Sequence, residues 1–213
     1  MGELNNIGLK TGTDKNSIYH GYLDIYESYL KDWKDKNIAL IELGTGGYHY
    51  PDRGGEGVRM WYQYFKSGKI VSVDIHPKEN IINDRTEFWQ GSQTDKHLLK
   101  TIIGQNNDAA LRVVIDDASH NNKLTIESFQ IIFPLLKSGD FYFVEDVQTS
   151  YWPVEEYGGK AYPGEPVTTM SYFTTLTHQL NAEHFVNPEH RNEFAYKIEF
   201  IHFYKELIVI KKL

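Results

Sequence analysis

Ile38-Ala39-Leu40-Ile41-Glu42-Leu43-Gly44-Thr45-Gly46-Gly47 is an apolar run that stops at a glycine-rich turn. A run this short and this apolar reads as a buried strand. Glycines after a strand let backbone approach a ligand closely. The turn lacks the full G-x-G-x-x-G fingerprint and is not a Walker A loop. On its own it is as readily an ordinary glycine turn as a nucleotide site.

Reading downstream, the pattern predicts a helix from Glu56 to Ser67 with Gly68 as its C′ residue. Strands follow at Ile70–Val73, Thr86–Gln90, Leu111–Ile115 and Phe141–Val144. Between them, helices are expected over Asp95–Ile103, stopped by Gly104, and over Lys123–Leu136. Residues 147–168 read as irregular, Thr169–Leu180 as helix, and Tyr196–Phe203 with Glu206–Ile210 as a closing hairpin turned at Tyr204-Lys205. Upstream, Leu9–Lys15 reads as loop and Tyr19–Trp33 as helix. Tyr22, Ile25, Tyr26, Tyr29 and Leu30 share one face of that helix, an ordinary core stripe. Alternating strand and helix specify one α/β domain over 1–213, with a mostly parallel sheet of seven strands, helices on both faces and an antiparallel C-terminal hairpin. Ligands bind such sheets beyond the carboxyl ends of the strands.

Composition narrows the function. The 213 residues carry a formal net charge of −7, which argues against nucleic acid as the main partner. With no cysteine, disulfides, thiolate metal sites and thiol nucleophiles are excluded. No stretch approaches the roughly 20 apolar residues of a membrane span. Met1-Gly2-Glu3-Leu4-Asn5-Asn6 does not read as a secretion signal, so a soluble cytoplasmic protein is expected.

Two further strand ends carry chemistry. Val114-Ile115-Asp116-Asp117-Ala118-Ser119-His120 and Phe143-Val144-Glu145-Asp146 both pass abruptly from apolar residues to carboxylates. Adjacent strands lie about 4.8 Å apart, so Asp117 and Asp146 can share one ion if these strands are neighbours. Oxygen ligands suit Mg²⁺ or Mn²⁺ rather than zinc. His120, three residues past Asp117, is a candidate general base. The bland alternative is helix capping and solvated loop charge.

Asp74, at the end of the second strand, suits a ribose diol, because a carboxylate accepts two hydroxyl hydrogen bonds. E-x-G-x-G followed by that acid resembles the nucleoside-binding half of class I S-adenosylmethionine-dependent methyltransferases, whose fold is Rossmann-like and doubly wound. In that fold the loop Gly91-Ser92-Gln93-Thr94-Asp95 meets the adenine. The other reading has Thr94 or Ser92 capping the next helix.

A more specific resemblance spans residues 11 to 153. Thr11-Gly12-Thr13-Asp14-Lys15, His20-Gly21-Tyr22, Gly46-Gly47-Tyr48, Arg59-Met60-Trp61, Gly91-Ser92-Gln93-Thr94-Asp95, Asp116-Asp117-Ala118-Ser119-His120, Val144-Glu145-Asp146 and Tyr151-Trp152-Pro153 occur in the order found in the sugar O-methyltransferases of macrolide tailoring, the mycinamicin and macrocin type. Ala118 stands where that pattern has glycine. The resemblance implies Mg²⁺-dependent methyl transfer from S-adenosylmethionine to a sugar hydroxyl. It places Asp117, Glu145 and Asp146 around the metal, with His120 as base and Asp117 beside it in catalysis. It assigns Thr13, Lys15, Glu42, Gly44, Gly46, Asp74, Ser92, Gln93 and Asp116 to the cofactor. Lys15 would meet the methionine carboxylate, within a covering segment 1–35. Tyr48, Tyr151 and Trp152 would contact the acceptor, the last two in a substrate loop over 147–169 that also holds Tyr157 and Tyr162. The sugar could belong to a capsular polysaccharide, a lipopolysaccharide, a nucleotide-linked sugar or a glycosylated natural product, and a homo-oligomer is possible. Two alternatives stand beside this reading: a catechol-like or other metal-chelating acceptor, and a non-catalytic cofactor-binding subunit.

Overall fold

A computed structural model describes residues 2–79, 81, 83–158 and 167–213. The elements run α1 (Glu3–Thr11), α2 (Leu23–Leu30), β1 (Ile38–Leu43), α3 (Glu56–Tyr64), β2 (Gly68–Asp74), β3 (Thr86–Gln90), α4 (Lys96–Gln105), β4 (Leu111–Asp116), α5 (Asn122–Ile132), β5 (Phe141–Glu145), α6 (Val154–Tyr157), α7 (Thr169–Leu176), β6 (Ile198–Phe203) and β7 (Leu207–Lys212). The strands form one sheet in the order β3-β2-β1-β4-β5-β7-β6. β1 to β5 are parallel; β7 pairs antiparallel with β5 and β6. This is the mostly parallel seven-stranded α/β sheet with an antiparallel hairpin that the sequence predicts.

The strand order reverses between β1 and β4, and there the sheet opens a crevice at its carboxyl edge. Gly44 leaves β1 and Asp117 leaves β4 at that point. β4 is buried throughout because its neighbours cover both faces. Val114 packs with α4, α5 and α7, while Val113 and Ile115 pack with α1, α2 and α3. The period of two puts successive side chains into opposite layers.

Local departures from the sequence reading have local causes. Leu9-Lys10-Thr11 is the last turn of α1 rather than loop, closed by Gly12 at φ 80. The expected helix over 19–33 is shorter. Tyr19 and His20 lie in a turn, α2 starts at Leu23, and a 3₁₀ turn covers Lys31–Trp33. α3 stops at Tyr64. Gly68 opens β2 instead of closing α3, at φ 88 and packed so tightly on the Ile38 backbone that a Cβ would overlap it. Gly104 lies inside α4 rather than stopping it. Neither Thr94 nor Ser92 caps α4. Asp95 does, accepting from the N–H groups of His97 and Leu98 at 3.0 Å each. The predicted helix over 123–136 ends as α5 with a 3₁₀ turn at Phe133–Leu135, and that over 169–180 is α7 followed by 3₁₀ turns. The segment read as irregular begins with a 3₁₀ turn at Val147–Tyr151 and the single turn α6. Gly159, Tyr162, Pro163, Gly164 and Pro166 of the proposed substrate loop lie outside the described residues.

Candidate functional site

Around the crevice lies a cavity of about 680 Å³. Its lining includes Thr13, Lys15, Glu42, Gly44, Gly46, Tyr48, Asp74, Ser92, Gln93, Asp117, His120 and Asp146. A groove of similar volume between α4 and α5 is lined by lysines and apolar side chains and has no acidic cluster among its lining residues.

The β1 turn wraps one wall. Gly44 has φ 93 and sits against the backbone of Asp117, which donates its N–H to the Leu43 carbonyl at 2.9 Å. Asp74 accepts from Thr45 N–H at 3.0 Å and from His76 N–H at 2.8 Å. Backbone therefore fixes the carboxylate at the cavity wall, and remaining lone pairs stay available to a ligand.

Asp116 has a different setting. It is 2% exposed and absent from the cavity lining. Its Oδ2 accepts from Ser128 at 2.5 Å and Tyr142 at 3.2 Å, and its Oδ1 from Gln93 Nε2 at 3.2 Å. Burial pushes its carboxyl up to about 6, against those hydroxyl donors. Gln93 in turn accepts the Ser119 N–H at 3.1 Å, tying the loop after β3 to the loop after β4. Ser92 lies on the lining, paired with the Thr94 hydroxyl at 3.1 Å.

The two acidic strand ends are neighbours, since the β4–β5 register pairs Asp116 with Val144. His120 Nε2 lies 3.4 Å from Asp146 Oδ2 and 3.9 Å from Asp117 Oδ1. These three residues each offer one ligand atom within 4.8 Å of the others. His120 and Asp146 both hold φ 53, a left-handed backbone that non-glycine residues adopt at a cost. Burial works to raise Asp146; the His120 ring and hydrogen bonds from Gln148 and Tyr22 outweigh it, and the carboxyl is held below its ordinary value.

Glu145 stands beside this cluster rather than in it. Its Oε2 pairs with Lys15 Nζ at 2.7 Å and its Oε1 accepts from the Tyr26 hydroxyl at 2.5 Å. Lys15, expected at the cofactor's carboxylate, is buried among acids. It also pairs with Asp117, and with Glu42 at 3.5 Å. Burial acts to lower the Lys15 ammonium, but Asp117, Glu145 and Glu42 raise it further. Burial and the Asp117 charge push Glu145 up. Three carboxylates thus face one ammonium, and the fourth, Asp146, has His120 and His20 beside it. The surplus of negative charge and the oxygen-rich donor set fit a hard divalent cation.

Tyr48 is 83% exposed at the mouth. Tyr151 and Trp152 are half exposed and lie off the lining; Tyr157, against which Trp152 packs edge-on at 5.2 Å, is on it. Tyr22 and Tyr26, read from sequence as core packing, hydrogen-bond Asp146 and Glu145. Their four-residue spacing was visible, but the carboxylates opposite them were not. Among the described residues no helix is long and apolar enough to cross a membrane.

The chain is similar to known O-methyltransferases. The model of the Rhamnosyl O-methyltransferase/CmcI family matches residues 57–199. The 8-demethyl-8-(2-methoxy-alpha-L-rhamnosyl)-tetracenomycin-C 3'-O-methyltransferase of Streptomyces olivaceus is 32% identical over 99% of this chain and 54% of its own length. The mycinamicin VI 2''-O-methyltransferase of Micromonospora griseorubida is 33% identical over 76% of this chain and 40% of its own. The solved MycE methyltransferase of the mycinamycin biosynthetic pathway, in complex with Mg and SAH, superposes with a TM-score of 0.90 at 28% identity, covering 99% of this chain and 53% of that one. The chain spans about half the length of the curated relatives it matches. Those relatives are named for glycosylated natural products, so the capsular and lipopolysaccharide acceptors find no support among them. From its match over residues 57–199, the chain belongs to the Rhamnosyl O-methyltransferase/CmcI family.

Proposed function

We propose that this chain carries an S-adenosylmethionine-dependent, divalent-metal-dependent O-methyltransferase that acts on a sugar hydroxyl of a glycosylated natural product. The observation that carries this reading is the Asp117–His120–Asp146 cluster on the same cavity as Gly44 and Asp74. The relatives' names and the Mg and SAH of the MycE complex support it.

In this reading Asp117 and Asp146 hold the ion, and Asp74 with the β1 turn holds the nucleoside. Bound there, a divalent cation lowers the pKa of an acceptor hydroxyl, as it does for bound water. His120 Nε2 takes the hydroxyl proton; Asp146 stabilises the imidazolium that results. The cavity would have to hold the acceptor oxygen in line with the methyl group of bound S-adenosylmethionine, and such alignment supplies much of the rate of a transfer. Gln93 fixes the loop bearing Asp117 and His120 through the Ser119 N–H. Tyr48 and Tyr157 at the mouth offer faces for a sugar ring, with Trp152 packed edge-on against Tyr157.

The test is methyl transfer from S-adenosylmethionine to a panel of rhamnosyl glycosides, their aglycones, nucleotide-linked sugars and catechols. The reading expects transfer to a glycoside, lost in EDTA and restored by Mg²⁺ or Mn²⁺. Full activity in EDTA, or transfer to catechols alone, would remove it.

A further inference from the structure

Tyr22 precedes α2 and Tyr26 lies one helical turn further on. They are 1% and 0% exposed. A phenylalanine would fill either space. A buried phenol must also find a partner for its hydroxyl or lose roughly 1–3 kcal/mol. Both hydroxyls find carboxylates at the end of β5: Tyr22 donates to Asp146 Oδ1 at 2.8 Å and Tyr26 to Glu145 Oε1 at 2.5 Å.

The two oxygens of Asp146 therefore face different surroundings. Oδ1 accepts from Tyr22 and from Gln148 Nε2, the latter at 3.1 Å. Oδ2 faces His120 at 3.4 Å. Tyr22 is itself held. Its hydroxyl lies 3.3 Å from the Glu206 carbonyl, and its ring stacks on His20 at 5.0 Å. His20 Nδ1 lies 3.3 Å from the Glu206 carboxylate, in the turn between β6 and β7. The phenol is thus clamped between the N-terminal segment and the C-terminal hairpin.

We infer that Tyr22 is a positioning residue for the ion-binding carboxylate of Asp146: it occupies Oδ1 and so presents Oδ2 to the Asp117–His120–Asp146 cluster. This inference rests on the reading that the cluster holds a divalent cation. Without the phenol, the Asp146 side chain rotates and must be ordered again whenever the ion binds. Partners behind a metal ligand characteristically change affinity 10- to 100-fold when removed.

The experiment is a Mn²⁺ titration of the full chain followed by electron paramagnetic resonance, with SAH binding and thermal unfolding measured on the same samples. Tyr22→Phe is expected to weaken Mn²⁺ binding about 10- to 100-fold while SAH affinity stays at wild type. Its methyl transfer recovers at high Mn²⁺, which a general loss of structure would not allow. Gln148→Leu removes the other donor to Oδ1, is independent of the aromatic packing, and is expected to weaken Mn²⁺ binding in the same direction. Unchanged or tighter Mn²⁺ binding in either variant, with binding still abolished by Asp146→Asn, overturns this inference and leaves the metal reading intact. No Mn²⁺ binding by wild type overturns both.

Discussion

His120 and Asp146 meet across the junction of β4 and β5, with Nε2 3.4 Å from Oδ2 and both backbones in the left-handed region at φ 53. Two strained residues in contact, at the mouth of a cavity, mark a place where geometry is held against local preference. His120→Ala is expected to lose turnover by roughly 10²–10⁴, the usual contribution of a general base, with SAH affinity retained. His120→Gly should lose as much turnover yet melt no lower than His120→Ala, because glycine adopts this backbone without a Cβ penalty. Loss of SAH binding in both variants would assign His120 to structure instead.

The charge imbalance around Lys15 makes a second expectation. Asp117, Glu145 and Glu42 share one ammonium, so a divalent ion should stabilise the fold as well as serve the reaction. At an ion concentration one hundred times Kd, binding to the folded state alone adds about 2.7 kcal/mol. For a chain of this size that is a rise in Tm of roughly 5–10 °C. Scanning calorimetry in EDTA and in Mn²⁺ measures it, and Asp146→Asn should abolish the difference. Equal Tm values in both buffers would mean that no ion binds here.

The sheet was legible because buried parallel strands are written as continuous apolar runs. Ile38–Leu43 and Thr86–Gln90 form over the residues predicted, and the condition that the two acidic ends be neighbours, which the strand assignments left open, is met by the β4–β5 pairing. What was illegible depends on distant partners. α1 contains Asn5, Asn6 and Gly8, poor helix formers, and its first N–H groups are satisfied by Glu27 Oε1, at 3.0 Å from Glu3 N and 3.4 Å from Leu4 N. A cap supplied from another helix leaves no local signature. Tyr26 looks like a core aromatic, and Lys15 like a partner for the cofactor's carboxylate, until Glu145 is placed opposite both. Gly68 looks like a helix stop because its close approach to Ile38 is tertiary.

The β1 turn separates two glycines that look alike in sequence. A Cβ on Gly44 would overlap the Asp117 carbonyl, at φ 93, whereas one on Gly46 would come no closer than 3.9 Å to Gly54 Cα. Gly46→Ala carries only the left-handed penalty of about 1–2 kcal/mol. Gly44→Ala adds a clash between two loops that both line the site. It is expected to cost several-fold more stability than Gly46→Ala in urea unfolding, and to lose SAH binding while Gly46→Ala retains it. Equal behaviour of the two variants would show that the β1 and β4 loops are not in contact.

Glu42 sets a pH dependence of stability. It is 2% exposed, with its Oε1 3.5 Å from Lys15 Nζ and 3.4 Å from Trp61 Nε1. Burial pushes its carboxyl from 4.5 up to about 7; Lys15 opposes that rise and Asp117 adds to it. Between those values the folded chain keeps a proton that the unfolded chain has released, so stability falls as pH rises through that window. The contribution is fully present below pH 4.5 and gone above pH 7, a change of about 3 kcal/mol. Glu42→Gln keeps the side-chain shape and removes the titration. In EDTA without cofactor, the variant should gain on wild type steadily from pH 4.5 to pH 7 and hold that gain at pH 8. Urea unfolding at half-unit pH steps reads the difference directly. A constant offset between the two proteins across that range would mean that Glu42 stays ionised in the fold, held by Lys15 against its burial.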